Sequence, residues 1–251
     1  MSKDFYDRVA KKLGGYGYGI NPEYSKEFLG GDPEKIFKEK LLELNSKDKT
    51  ALDIGCADGK FTISVAPHFK KVYGIDTSQV NLEIAESHRE DKGSENVEYS
   101  FQDASHTNFS DSFFDLAYCR RGPTYFAEYY RILKPGGHYV EIEIGEKDAM
   151  EIKKTFGRGQ DYREWDNSRL DKDTKVLKDL SFEIVFAENY HCFEYYPSYE
   201  ALDLFLQGVP IFEDYDSEKD RAKLDKYIVE NTSLKGIALP RHRIVLVAKK
   251  I

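Results

Sequence analysis

From residue 50 onward, short apolar runs alternate with segments whose apolar residues recur at helical spacing. This alternation predicts strands separated by helices. The predicted strands are residues 51–54, 71–75, 97–101, 113–118 and 139–144, and the predicted helices are 61–66, 78–89 and 123–133. Strands connected through helices lie parallel in one sheet, and helices cover both of its faces. The chain is therefore expected to be an α/β protein.

The C-terminal part of the chain has a looser pattern. Helices are predicted over 148–156 and before Leu180, a long strand over 182–195 and a closing strand over 243–249. Residues 197–236 are predicted to be helical, with no strand among them. This insertion before the last strand is expected to form a helical cap that selects the substrate.

The N-terminal residues 1–31 are polar, aromatic and rich in glycine, with a Gly-Gly-Tyr-Gly-Tyr-Gly run over 14–19. An irregular arm is the simpler interpretation, and a flap over a ligand is the alternative. Asp32 and Pro33 match the N-cap and first position of a helix that continues to Leu42. These features predict an arm or flap over 1–31 and one domain over 32–251. That domain is expected to comprise a ligand-binding core over 32–145 and substrate-side elaborations over about 146–180 and 196–239.

Charge and cysteine content limit the classes of function. The formal net charge of −8 disfavours broad nucleic-acid binding, without excluding a local basic pocket. Cys56, Cys119 and Cys192 fit neither a disulfide framework nor a zinc site, so no metal is expected. No apolar run is long enough to span a bilayer, and no secretory leader is visible. A cytoplasmic protein without a membrane partner is expected, and its oligomeric state is left open.

A glycine turn joins the first predicted strand to the first predicted helix. Residues 52–59 read Leu-Asp-Ile-Gly-Cys-Ala-Asp-Gly, with Asp53 at the strand end and Gly55 and Gly59 in the turn. Glycine allows backbone torsions that a Cβ resists and lets a ligand approach closely. Ligands of such sheets bind outside the carboxyl ends of the strands. The turn is thus a candidate ligand site.

Acids after the next two strands strengthen this interpretation. Asp76 ends the second strand 21 positions after Gly55, a spacing suited to binding both hydroxyls of an adenosine ribose. Asp103 follows the third strand, where it is suited to accept a hydrogen bond from an adenine amino group. A helix N-cap and a turn carboxylate are the respective alternatives. A nicotinamide dinucleotide is disfavoured, because the turn lacks Gly-x-Gly-x-x-Gly and Asp58 would face the pyrophosphate.

Together these features resemble the class I S-adenosylmethionine-dependent methyltransferases over residues 34–144. The acid and glycine turn, the two later acids, the segment 115–121 after the fourth strand and the Leu-Lys-Pro-Gly-Gly turn at 133–137 occur in the family's order. The resemblance implies a Rossmann-like, doubly wound, mostly parallel sheet of seven strands with helices on both faces. It also implies S-adenosylmethionine as the cofactor and S-adenosylhomocysteine as the product.

The resemblance assigns the cofactor contacts by position. It places Asp53 near the methionine amino group, and Cys119 near the methionine carboxylate and the transferred methyl. Backbone of the turn lines the methionine and ribose, Asp76 holds the ribose hydroxyls, and Asp103 holds the adenine. The sequence departs from the family at Ala57, where glycine is usual. The expected cofactor-binding residues are Asp53, Gly55, Cys56, Gly59, Asp76, Thr77, Asp103, Ala104 and Cys119.

Methyl transfer from a sulfonium is an in-line displacement in which the protein mainly aligns the reactants and excludes water. A base is needed only when the acceptor arrives protonated, so the catalytic residues are left unknown. Arg120 and Arg121 are candidates to clamp an acidic acceptor, with surface salt bridges as the alternative. His242 is a candidate base, with a polar surface position as the alternative.

A small molecule is the expected acceptor. The segment after the fourth strand has no Asn-Pro-Pro-Tyr-like sequence, and the chain has no Pro-Cys pair. These absences disfavour amino-methylation of adenine and methylation of cytosine at carbon five, and the acidic charge disfavours a large RNA. Two alternatives stay open: an RNA base methyltransferase, and a protein that binds S-adenosylmethionine without transferring its methyl group.

Overall fold

The computed structural model describes residues 3–13 and 23–251, and these residues form one sheet of nine strands. The strands are β1 (Ser25–Phe28), β2 (Ser46–Ile54), β3 (Phe69–Asp76), β4 (Val97–Phe101), β5 (Phe114–Arg120), β6 (Leu133–Ile144), β7 (Phe182–Tyr196), β8 (Thr232–Ser233) and β9 (Gly236–Lys250). Their order is β1-β7-β9-β6-β5-β2-β3-β4, and β8 pairs with β9.

The helices alternate with these strands along the chain. They are α1 (Lys3–Leu13), α2 (Pro33–Glu43), α3 (Lys60–Val65), α4 (Gln79–Lys92), α5 (Phe126–Ile132), α6 (Met150–Phe156), α7 (Arg169–Asp179), α8 (Tyr199–Gly208) and α9 (Arg221–Asn231). None of the helices within 3–13 and 23–251 has the length and apolar character needed to cross a membrane.

The chain divides into two compact units, which are described separately. The larger unit comprises Asp32–Ile144, Arg169–Asn189 and Ile244–Ile251, and the smaller unit comprises Met1–Gly31, Gly145–Ser168 and Tyr190–Arg243. β7 and β9 contribute residues to both units.

Parallel strand pairing in the larger unit confirms the predicted α/β architecture. β2 pairs in parallel with β3 and with β5, β3 pairs with β4, and β5 pairs with β6. The predicted start of α2 is also confirmed, because the Asp32 side chain accepts the N–H groups of Glu34 and Lys35 and Pro33 is the first helical residue. The last four residues of β2 are all buried, as expected for a strand covered on both faces.

The expectation of seven strands is wrong. β7 and β9 are each 15 residues long, and their extra length pairs with two short strands that the sequence pattern did not reveal. β1 pairs antiparallel with β7, and β8 pairs antiparallel with the first residues of β9. β8 therefore also contradicts the prediction that residues 197–236 contain no strand.

Two further local predictions differ from the structure. The predicted turn at 134–137 lies within β6, where the pairing with β5 shifts register between Phe114 and Leu116. The N-terminal region contains α1 and β1 and is not irregular throughout. The Gly/Tyr run at 14–19, and with it the flap interpretation, lies outside the described residues.

Buried aromatic and aliphatic side chains fill the core of each unit. In the larger unit they come mainly from β2, β3, β5, β6, β7, β9, α5 and α7. In the smaller unit they come mainly from α6, α8, α9 and β9, and Phe156 stacks on Phe212 with ring centroids 4.4 Å apart. Burial of such surface is the main favourable contribution to folding.

A buried ion network stabilises the smaller unit. Arg241 Nε lies 2.9 Å from Asp148 Oδ1, and its Nη1 lies 2.5 Å from Glu194 Oε2. Arg243 also pairs with Asp148, and all four side chains are at most 5% exposed. Burial alone would raise the pKa of Asp148, but the two guanidinium groups hold it well below its usual range. Charge neutralisation is thus a condition for burying this segment of β9.

We expect Arg241→Met to lower the free energy of unfolding by roughly 3–5 kcal/mol, since the change leaves two buried carboxylates with fewer partners. Urea denaturation measures the loss. The matched control is Arg221→Met, because Arg221 is 73% exposed and lies 4.0 Å from Asp225. An exposed pair contributes at most about 1 kcal/mol. Equal losses in the two variants would contradict the role of burial.

Candidate functional site

The glycine turn connects β2 to α3 through three residues in the left-handed region. Gly55 and Gly59 both have φ of 71°, and Ala57 has φ of 46°. The N–H groups of Gly55 and Cys56 both donate to the Ile75 carbonyl, at 2.9 and 3.0 Å. The left-handed Ala57 costs about 1–2 kcal/mol relative to glycine, so the family's usual residue would be less strained here.

Gly59 is required by close packing as well as by its torsion. A Cβ at this position would overlap the Tyr99 ring from β4 and the Ala85 side chain from α4. The Tyr99 hydroxyl donates to the Gly59 carbonyl at 3.1 Å. The aromatic ring therefore packs directly against the end of the turn.

Asp53 lies at the buried side of this turn. Its side chain is 3% exposed and accepts a hydrogen bond from Thr62 Oγ1 at 2.6 Å, which ties β2 to α3. Burial raises its pKa to about 6, against the opposing effect of the Thr62 bond. Contact with the methionine amino group remains a prediction for this residue.

Asp76 holds the turn in place from the end of β3. Its Oδ2 accepts the Ala57 N–H at 3.0 Å, and its Oδ1 accepts the Ser78 N–H at 2.8 Å. Thr77, the next residue, is exposed. The suggested N-cap role belongs to Ser78, whose hydroxyl accepts the Asn81 N–H. The Asp76 carboxylate thus links two elements of the site.

Asp103 lies two residues beyond β4 at the same edge of the sheet. The Gln102 N–H donates to the Asp76 carbonyl at 3.2 Å, which joins the two acidic segments. Asp103 is exposed and accepts the Ser105 N–H at 2.8 Å, a bond that lowers its pKa. Ala104, the next residue, is buried. A carboxylate has several acceptor positions, so Asp103 is able to accept the Ser105 N–H and also a hydrogen bond from an adenine amino group.

Cys119 is the second-last residue of β5. In the strand register it lies opposite Ile54 of β2 and Glu141 of β6. Its side chain is 1% exposed, and Cys56 in the turn is 6% exposed. Burial raises the pKa of both thiols well above the usual value, so both are neutral at physiological pH.

The two arginines after β5 are paired with a carboxylate of α2. Arg120 Nη2 lies 3.1 Å from Glu34 Oε2, and Arg121 bonds the other Glu34 oxygen. The Arg120 guanidinium also lies over the Phe61 ring, 4.1 Å from its centroid. The two arginines thus form salt bridges, which was the alternative to their binding an acidic methyl acceptor. To bind such an acceptor, they would have to exchange Glu34 for it.

His242 belongs to the smaller unit and is buried, so the surface alternative for it is wrong. Its ring stacks on His191 with centroids 4.3 Å apart and accepts the Lys147 N–H at 3.3 Å. Burial lowers its pKa to about 4, against the opposing effect of Glu146. The imidazole is thus neutral at physiological pH.

A cluster of ionisable residues around β6 was not predicted. Glu141 and Glu143 are 1% and 6% exposed, and burial raises their pKa values to about 8 and about 7. Asp173 and Arg169 of α7 both influence these two pKa values, and Arg169 Nε lies 2.5 Å from Asp173 Oδ2. The signal in the sequence is two acids at alternate positions of the otherwise apolar segment 139–144.

The family comparison agrees with this geometry. Residues 51–137 match the model of a methyltransferase domain. An uncharacterized methyltransferase of Bacillus subtilis strain 168, YcgJ, is 28% identical over 125 residues, which are 44% of this chain and 49% of that protein. Demethylmenaquinone methyltransferase of Geobacillus stearothermophilus is 32% identical over 130 residues, 47% of this chain and 56% of that protein. The chain spans about half the length of these curated relatives.

Solved structures share the fold over most of the chain. The cyclase SpnF is 19% identical with a TM-score of 0.62, covering 98% of this chain and 94% of that one. Geranyl diphosphate C-methyltransferase from Streptomyces coelicolor A3(2), solved with S-adenosylhomocysteine, is 14% identical with a TM-score of 0.55, covering 87% and 78%. These likenesses confirm a Rossmann-like α/β fold, and at such identities they show the fold alone.

We expect the stability of the protein to fall between pH 5 and pH 9 because Glu141 is buried. A carboxyl group whose pKa is raised from 4.5 to about 8 stabilises the fold at low pH, and this contribution is lost as pH rises through 8. Glu141→Gln should remove this pH dependence, so that between pH 5 and pH 9 the free energy of unfolding, measured by urea denaturation, falls less in the variant by on the order of 5 kcal/mol. The exposed Glu95→Gln is the control, and parallel pH profiles for all three proteins would contradict the assignment.

Proposed function

We propose that this chain, whose residues 51–137 match the model of a methyltransferase domain, is a class I S-adenosylmethionine-dependent methyltransferase that transfers a methyl group to a small-molecule acceptor. One observation carries the proposal: the Asp76 carboxylate accepts the Ala57 N–H and thereby holds the glycine turn beside the end of β3. The acid that we assign to ribose binding and a backbone that a ligand could approach closely thus lie at one edge of the sheet, which supports the proposal.

The residues at this edge fit S-adenosylmethionine. A carboxylate offers about four acceptor positions, so Asp76 is able to hold the turn through two N–H groups and also receive ribose hydroxyls. Asp103 is exposed and ionised beside it, and is available to an adenine amino group. The further contacts that we propose involve Asp53, Gly55, Cys56, Gly59, Thr77, Ala104 and Cys119.

When bound, S-adenosylmethionine supplies a methyl group whose transfer breaks the S–CH3 bond, forms a bond to the acceptor and leaves S-adenosylhomocysteine. The chain contributes alignment and exclusion of water, because the strand ends that hold Asp53 and Cys119 are buried. Burial also keeps the Cys56 and Cys119 thiols protonated, so neither competes as a methyl acceptor.

Glu143 is our candidate for accepting a proton from a protonated acceptor. Its pKa of about 7 suits a base at neutral pH. It lies at the end of β6, and after burial it is the group that most raises the pKa of the Cys119 thiol. It is therefore close to the position where we expect the methyl group to be released. By contrast, Arg120 and Arg121 already share Glu34.

The small-molecule part of the proposal rests on charge and on the relatives. The net charge of −8 disfavours a polyanionic acceptor such as RNA. One of the relatives found by sequence is named a demethylmenaquinone methyltransferase. A cytoplasmic location is part of the proposal, since all three cysteines are free thiols.

Calorimetry tests the cofactor site. Asp76→Ala should weaken binding of S-adenosylmethionine and S-adenosylhomocysteine by roughly 1.5–3 kcal/mol, because charge-assisted hydrogen bonds are lost. If the ribose is its partner, the loss of affinity should be smaller for an S-adenosylhomocysteine analogue that lacks both ribose hydroxyls, because only the effect of Asp76 on the turn remains. Asp91→Ala, an exposed change on α4, is the control. Unchanged affinity in Asp76→Ala would refute the ribose assignment.

Methyl transfer is tested by measuring S-adenosylhomocysteine production with a panel of phenols, quinols and carboxylic acids. We expect turnover with at least one acceptor. When that acceptor is protonated, Glu143→Gln should lower kcat by roughly 100-fold, because general-base catalysis typically contributes a rate enhancement of this size. Cofactor affinity should be unchanged in that variant. Binding of the cofactor without turnover on any acceptor would instead favour a binding protein without transfer activity.

A further inference from the structure

Tyr118 is a fully buried tyrosine of β5, and its hydroxyl has no hydrogen-bond partner among the residues that the structure describes. Its ring packs edge-on against Phe61 of α3, with ring centroids 5.9 Å apart. A buried hydroxyl without a partner destabilises a protein, and native structures rarely retain one without a reason. The presence of this hydroxyl therefore calls for an explanation.

Asp53 is the acceptor that the fold places beside this hydroxyl. Tyr118 lies directly opposite Asp53 in the parallel pairing of β5 with β2, and paired residues of neighbouring strands project from the same face of a sheet. Burial raises the pKa of Asp53, and the Tyr118 hydroxyl is one of the groups that oppose this rise. Burial and the Asp53 charge both raise the pKa of the phenol, so the phenol keeps its proton and is a donor.

The Asp53 carboxylate has room for this donor. Its Oδ2 accepts the Thr62 hydroxyl at 2.6 Å, and residues 3–13 and 23–251 supply no other hydrogen bond to this side chain. A buried carboxylate stays ionised only where donors or cations compensate for the water that it has lost. A second hydroxyl would thus increase the ionised fraction of Asp53 near neutral pH and restrict its rotamer.

The other ionisable groups around Asp53 do not replace this donor. Arg120 favours the ionised form of Asp53, but its guanidinium is paired with Glu34. Asp76, at the end of β3, disfavours the ionised form. The neutral ionisable neighbours, whose pKa values burial raises, are Cys56 in the turn and Tyr99 of β4.

We propose that Tyr118 is a positioning residue for the amino-acid end of S-adenosylmethionine: its hydroxyl donates to the ionised Asp53 carboxylate, which binds the cofactor's ammonium group. The inference rests on the proposed function, and in particular on the contact between Asp53 and the methionine amino group. Thr62 and Tyr118 hold the carboxylate from α3 and from β5. Affinity for this end of the cofactor therefore depends on a residue that is itself too deeply buried to touch it.

The experiment measures the affinity of the full chain for S-adenosylhomocysteine by calorimetry between pH 5 and pH 8. In the unmodified protein the affinity should fall as pH decreases through about 6, because protonated Asp53 no longer attracts an ammonium group. Tyr118→Phe keeps the ring and removes the donor, so the fall should begin about one pH unit higher. Binding should then be roughly 5-fold weaker than in the unmodified protein at pH 6 and almost equal at pH 8.

Two variants and a second ligand provide the comparisons. Thr62→Val removes the observed bond to Asp53 and should shift the profile in the same direction. The matched control is Tyr227→Phe, since Tyr227 is equally buried and its hydroxyl donates to the Ala238 carbonyl in the smaller unit. 5′-Methylthioadenosine lacks the amino-acid part, so it should bind the unmodified protein and Tyr118→Phe equally at every pH.

An unchanged profile in Tyr118→Phe, an equal loss of affinity for 5′-methylthioadenosine, or an equal shift in Tyr227→Phe would overturn the inference and leave the cofactor site intact. In an Asp53→Asn background Tyr118→Phe should produce no pH-dependent change, and a change that persists there would show that the hydroxyl does not act through Asp53. If the unmodified protein binds neither ligand, the proposed function fails and the inference fails with it.

Discussion

β2 lies between β3 and β5 and pairs with both in parallel, with Ile54 opposite Ile75 on one side and Cys119 on the other. Because the three strands run in one direction and end at one level, the segments that follow them emerge at the same edge. The glycine turn, Asp76 and the residues after β5 are thereby brought together from distant parts of the chain. The candidate site is therefore a consequence of parallel pairing as much as of its individual residues.

The part of the fold that repeats a strand and a helix was predictable, because each segment carries its own apolar periodicity. β1 and β8 were not predictable. They have four and two residues respectively, most of them polar, and such short segments show no apolar periodicity. Both strands form only because they pair with the long strands β7 and β9, and the local sequence of a short segment does not reveal its partner. The position of the turn at 133–137 was recognised, whereas its incorporation into β6 follows from the register with β5.

The candidate site was predictable where it depends on spacing along the chain. Asp76 and Asp103 were found because they follow strands, and the structure shows the Gln102 N–H bonded to the Asp76 carbonyl between them. Glu141 and Glu143 were missed, because an acid within a strand is usually exposed and only the fold buries these two. The partner of Arg120 and Arg121 was equally hidden, since Glu34 precedes them by more than eighty residues.

The Asp76 carboxylate is held by two backbone N–H groups of the protein itself, from Ala57 and Ser78. These bonds fix its rotamer and the path of the turn without any contribution from a ligand. Ordering a side chain on binding costs about 0.5–1.5 kcal/mol, and this cost is largely avoided when the group is preorganised. Affinity on this side of the pocket should therefore arise from the contacts themselves, with little conformational search during association.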